Sequence, residues 1–119
     1  MPDIEFAYDV ADPKHPSSSE PYFVVFCDKD GTNVAGDEGD LQGETISSAT
    51  WTVPTGLTKG ITNTSAVIIS GVSYPANTVA TCWFSGGTDG TYYEITVSII
   101  TSGGRTLAKT FILPVTKRF

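Results

Sequence analysis

The sequence predicts an all-β fold, specifically an immunoglobulin-like β-sandwich of about seven strands with an irregular N-terminal arm. Three observations carry this. Between Tyr92 and Thr101, Ile95, Val97 and Ile99 fall on one face while Glu94, Thr96 and Ser98 fall on the other, the period-two alternation of strands with one face in a core. Leu107, Phe111, Leu113 and Val115 repeat at the same period after the short link Ser102-Gly103-Gly104, so the two segments read as a hairpin. Composition points the same way: Thr and Ser together number 28, with 12 Gly and 7 Pro. No stretch has a convincing 3.6-residue apolar period. At 119 residues the chain is long enough to bury a single core without cross-links.

Taken in order, residues 1–19 read as an arm or edge segment and residues 20–119 as the sandwich domain. Asp12-Pro13, His15-Pro16 and Ser17-Ser18-Ser19 are turn punctuation. Ile4, Phe6, Tyr8 and Val10 alternate, so Asp3 to Val10 is a candidate edge strand or docking arm. Pro21 to Cys27 is the first firm strand. Lys29-Asp30-Gly31-Thr32 follows as a turn, with Asp-Gly as a hairpin signal. Asn33 to Glu44 is a loop dense in glycine and acids. Thr45 to Val53 is a strand with Ala49, Trp51 and Val53 on one face; Ile46 is one residue out of phase, which predicts a bulge near Ser47-Ser48. Pro54-Thr55-Gly56 turns. Ser65 to Ser70 and Thr78 to Ser85 are further strands, separated by Gly71 and Tyr74-Pro75-Ala76-Asn77. Pro114 lacks an N–H, so the last strand is expected to be an edge or to end there. At the start of the penultimate strand, Tyr92 or Tyr93 is expected to bond back to backbone at a sheet corner.

Charge is unevenly placed. Residues 1–44 hold 11 of the 13 acids against Lys14 and Lys29, for −9; residues 45–119 carry +3, giving the net −6. An acidic half argues against nucleic acid as a partner, because phosphate contacts drive that affinity. The longest aliphatic run, Ala66-Val67-Ile68-Ile69, is far short of a membrane span. Met1-Pro2-Asp3 has neither a basic start nor a following apolar region, so a soluble protein made in the cytosol is expected. Cys27 and Cys82 lack the tyrosine and tryptophan spacing of an antibody-type disulfide and are expected to be buried thiols.

Candidate chemistry is thin. His15 is the one histidine and has no nucleophile motif beside it, so no catalytic residue is assigned. The acids of Asp28-Lys29-Asp30-Gly31 and the following loop invite a calcium reading, but Gly31 arrives too early for an EF-hand loop, and no metal or cofactor is expected. Trp51 reads as core. Trp83 and Phe84 are adjacent and point to opposite faces, so one is core and the other a candidate interface anchor. The candidate interface residues are therefore Asp37, Glu38 and Asp40 in the acidic loop, with Trp83 and Phe84.

Four segments, taken in order, carry a resemblance: Gly39-Asp40-Leu41-Gln42-Gly43-Glu44-Thr45-Ile46 running on to Gly56-Leu57; Tyr74-Pro75-Ala76-Asn77-Thr78-Val79; Trp83 to Tyr93; and Thr101-Ser102-Gly103-Gly104-Arg105-Thr106. Together they resemble the small tailed-bacteriophage structural proteins called fiber–tail adaptors, over about Gly39 to Val115. Many such proteins carry an Asp-Trp element and a Trp-Leu before the Thr-Ile strand; here that region reads Phe26-Cys27-Asp28 and the acidic loop. The resemblance implies a non-enzymatic virion protein of the tail or neck, joining other virion proteins to fibers in multiple symmetric copies. It would be made in the host cytoplasm and have no nucleic-acid or membrane partner. A head–tail connector or capsid decoration protein is the nearest alternative, and a carbohydrate-binding or adhesion module the next.

Overall fold

In the computed structural model, which describes residues 9–117, nine strands form three sheets among the described residues. The strands are β1 (Asp9–Val10), β2 (Ser19–Val25), β3 (Ile46–Thr52), β4 (Leu57–Asn63), β5 (Val67–Ile69), β6 (Val72–Tyr74), β7 (Val79–Gly86), β8 (Thr91–Thr101) and β9 (Thr106–Val115). One sheet runs β1-β9-β8-β3, a second β2-β7-β4, and β5 pairs with β6 as a small hairpin. Residues 1–8, with most of the candidate strand Asp3 to Val10, lie outside the described residues.

The terminal hairpin forms as its alternation predicts. β8 and β9 pair antiparallel from Thr91↔Val115 to Ile100↔Thr106. Ile95, Val97 and Ile99 are fully buried, and so is Leu113. The bulge in β3 sits where the phase slip of Ile46 places it, between Ile46 and Ser48. That extra residue lets both Ile46 and Trp51 point inward on a strand whose simple alternation would separate them.

The two larger sheets meet across an aromatic core. Trp51 of β3 packs edge-on against Phe84 of β7 at 5.8 Å and against Phe111 of β9 at 6.3 Å. Tyr22 of β2 completes the cluster, 5.8 Å from Phe84 and 6.5 Å from Phe111. These are the edge-to-face and offset distances that aromatic quadrupoles favour. Cys27 and Cys82 are buried, free thiols, and desolvation pushes the Cys82 thiol up to about 11.

Four expectations need correction. Lys29–Thr32 does turn, with Gly31 N–H donating to the Asp28 carbonyl, but it closes no hairpin. The strand before it, β2, pairs with β7, and the strand after it, β3, lies in the other sheet. The Asp-Gly signal reports local backbone geometry and says nothing of which strands meet. Secondly, β4 and β6 form where turns or nothing were expected. In β4 only Leu57 is buried and Gly60 interrupts the pattern, so its pairing with β7 leaves no alternation to read. Thirdly, the strand expected over Ser65 to Ser70 shrinks to Val67–Ile69, because Ser70 (φ 51) and Gly71 (φ 82) turn the chain back. Fourthly, of the two alternatives for Pro114, β9 is not an edge but does end beside it, at Val115. β1 runs parallel to it, and the segment continues through a bridge from Lys14 to Val115; Pro114 is accommodated because its carbonyl accepts from Lys14 N–H.

Lys14 anchors that segment. It is fully buried, and its Nζ donates to the carbonyls of His15 and Gly86, both at 2.7 Å. Burial lowers its pKa, opposed by the negative charge of Glu20.

The sheet-corner tyrosine is Tyr93. It is buried at the start of β8, and its hydroxyl accepts the Thr88 backbone N–H at 2.8 Å, while Tyr92 is exposed. Tyr93→Phe leaves that N–H without its partner. We expect a loss of about 1 kcal/mol, the usual net worth of such a bond, read as a lower denaturant midpoint with an unchanged slope.

Candidate functional site

The acidic segment between β2 and β3 is organised by its own side chains. Asp28 accepts the N–H groups of Asp30 and Glu38. Asp37 accepts those of Val34 and Gly39. Gln42 Nε2 donates to the carbonyls of Asp37 and Gly39, and Asn33 bridges Gly43 and Glu44. Short side chains that satisfy nearby backbone donors hold a loop without a ladder. The residues that look like a free negative surface in sequence are thus mostly structural acceptors.

The loop is also fastened to the body. Asp40 and Leu41 N–H groups both donate to the Phe26 carbonyl, and Leu41 is fully buried. Gly39 is buried against backbone; a Cβ there would lie 2.4 Å from both Cys27 C and Asp28 N. From β9, Lys109 Nζ reaches Asp40 Oδ2 at 3.0 Å and the Val25 carbonyl at 2.9 Å, and lies 5.1 Å above the Phe26 ring. Arg105, just before β9, pairs with Glu44 at 2.8 Å and donates to the Asp40 and Leu41 carbonyls. The acidic half and the basic half therefore meet inside one chain. Asp37 and Asp40 are engaged in this way, while Glu38 is exposed.

The hydrogen bond from Arg105 holds the Glu44 carboxyl below its ordinary value of 4.5. A carboxyl whose folded pKa is depressed adds stability above its unfolded pKa, and that contribution disappears as pH falls through the lowered folded value. Glu44→Gln should therefore flatten the acid side of the stability curve below about pH 4.5. Unfolding midpoints measured across that window check this; a variant as acid-sensitive as the parent contradicts it.

Trp83 and Phe84 separate as adjacent strand residues must. Phe84 is fully buried in the aromatic core, whereas Trp83 is 38 % exposed. Of the two, Trp83 is the one available to a partner. Phe23 and Ile61 are also exposed apolar residues on the same sheet. Neither was foreseen, because Phe23 lies within an apolar run and Ile61 on a strand without visible alternation. His15 accepts the Ser17 N–H through Nδ1. Among the described residues, no group of three His, Cys, Asp or Glu side chains is placed to hold a metal ion, and no helix is long and apolar enough to cross a membrane.

A family model described as podophage GP4 fiber-tail adaptor protein gp77 matches residues 35–114. The chain belongs to this fiber-tail adaptor family. The match takes in the latter part of the acidic loop, the ion-paired cations Arg105 and Lys109, the aromatic-core residues Trp51, Phe84 and Phe111, and the terminal hairpin up to Pro114. β1, β2 and Lys14 lie before it, so the match starts after the first two strands of this chain. No curated protein matches the chain. The adaptor family is structural in character, a component of the phage tail.

Proposed function

We propose that this chain is a structural protein of a tailed-phage virion that joins tail or neck components to fibers, in multiple symmetric copies. The family match over residues 35–114 carries the reading. The body supports it physically. A two-sheet scaffold with an aromatic core is stiff, and its exposed Trp83 and Glu38 offer contacts whose individual weakness is offset by copy number. The protein would be made in the host cytoplasm and end in the virion tail. We divide the chain into an arm, 1–19, and a domain, 20–119; of the arm, Asp9–Val10 and Lys14 lie against the domain.

We further read the fold as immunoglobulin-like. Lettering β2, β3, β4, β7, β8 and β9 as B, C, D, E, F and G gives sheets B-E-D and C-F-G, the constant-type order. β1 then lies beside G, and the β5–β6 hairpin is an insertion between D and E. The Tyr93–Thr88 bond falls where the fold's corner tyrosine would.

The test is assembly. Particles made without this protein should retain tails but lack fibers, as seen by electron microscopy, and supplying the wild-type chain should restore them. Fibers present in its absence overturn the reading. Within the interface, Glu38→Gln and Trp83→Ala are the informative variants, because neither side chain holds the fold. Neutralising Asp37 would disturb the loop itself.

A further inference from the structure

Among the described residues, each large sheet ends in a strand with one open edge, β3 in one and β4 in the other, and residues of both strands border one cleft. Between them lies a cleft of about 220 Å³, lined by Ser47, Ser48 and Trp51 from β3 and by Thr62, Asn63 and Asn77 opposite. One end is closed. Ile46 N–H donates to the Asn77 carbonyl at 2.8 Å, and Asn77 N–H donates to the Thr64 carbonyl at 2.7 Å. Asn77 takes φ 62 to make both bonds.

Three features of this cleft bear on what it could receive. Its lining carries no charged residue in a chain of net charge −6. Trp51 is 5 % exposed, and its Nε1 donor meets no hydrogen-bond partner among the described residues; buried donors in folded proteins are almost always satisfied. Finally, β2 and β4, the margins of the second sheet, are obstructed. Pro21 interrupts β2, and Lys109 Nζ occupies the Val25 carbonyl at its end. β4 carries Lys59 and a register break before Thr62, and the far margin of the first sheet is the short strand Asp9–Val10. Proline, lysine and irregular pairing are the usual ways of blocking strand addition. Beyond the bulge at Ser47, β3 from Ser48 to Thr52 has none of them.

We propose that this cleft receives an extended, uncharged segment of a partner protein, which pairs with the free edge of β3 and places an acceptor oxygen on Trp51 Nε1. Main-chain bonds to β3 would supply affinity and the indole N–H would set register, as in other strand-addition complexes. The neutral lining selects a neutral segment, because a charged one would lose its hydration without gaining a counter-charge. This deepens the adaptor reading by naming the chemistry of one partner.

The experiment uses the full ¹⁵N-labelled chain and overlapping synthetic peptides covering the tail and fiber proteins of the same phage. Trp83→Phe assigns the two indole signals. We expect an uncharged peptide to move the Trp51 Nε1–H signal and to slow amide exchange in Ser48–Thr52. The double variant Ser47→Lys/Asn63→Lys should weaken that peptide by about tenfold or more. Both side chains are exposed, and the one hydrogen bond lost, from Ser65 N–H to Asn63 Oδ1, is itself exposed, so its unfolding midpoint should lie close to the parent's. The proposal is overturned if no peptide perturbs β3, if the double variant binds equally well, or if soluble oligosaccharides rather than peptides move the Trp51 signal. Particles that lose fibers without this chain while β3 stays silent would uphold the adaptor role and sink only this inference.

Discussion

Phe84→Ala is expected to destabilise the protein by about 3–5 kcal/mol, the range for truncating a buried aromatic. Phe84 is fully buried and touches the rings of both Trp51 and Tyr22. Those rings come from β3 and β2, so the side chain ties the two large sheets together. Removal takes away transfer free energy and leaves a void that neighbours fixed on separate sheets cannot easily fill. Denaturant unfolding measures the loss. Trp83→Ala is the control: it lies next in sequence but is 38 % exposed, so its change should be well under half as large. Equal losses at the two positions would contradict the division into core and surface members.

Gly39→Ala should disrupt the acidic loop, costing about 1–3 kcal/mol as an overpacked site. The added carbon would fall within 2.4 Å of two backbone atoms at Cys27 and Asp28. Backbone cannot yield as a flexible side-chain tip does, so the loop must lift from the end of β2. Lifting it strains the paired bonds from Asp40 and Leu41 to the Phe26 carbonyl and withdraws Leu41 from the core. Faster amide exchange at Asp40 and Leu41, with β8 and β9 unchanged, is the expected signature. Gly36→Ala provides a comparison, since nothing lies within 4 Å of the added carbon although φ is +94; its cost should come from the backbone conformation alone.

Both variants bear on the candidate interface. Asp37, Glu38 and Asp40 look equivalent in sequence, yet their surroundings differ. Asp37 ties the loop to itself, Asp40 meets Lys109, and Glu38 is exposed. An exposed ion pair such as Asp40–Lys109 contributes little alone. The loop's order rests more on its many bonds to backbone and on Leu41. A partner surface here would read a preshaped loop rather than a diffuse negative charge.

What the sequence determined by itself is whatever depends on near neighbours along the chain. The faces of β8 and β9, the glycine turn between them, the slip at Ile46, the opposition of Trp83 and Phe84 and a corner tyrosine at Tyr92 or Tyr93 all follow from period-two geometry and local turn chemistry. Tertiary structure alone decided which strands meet and what each charge does. Asp30-Gly31 turns the chain in either case, but only packing sends β2 to β7 rather than to β3. β4 exists because β7 offers it a ladder, not because its residues alternate. Arg105 finds Glu44 across 61 positions of sequence, and Lys14 finds Gly86 across 72. Such contacts carry no local signature: a carboxylate or an ammonium has the same side chain whether it faces water or an opposing strand. Its partner is set by how the two sheets close over the aromatic core.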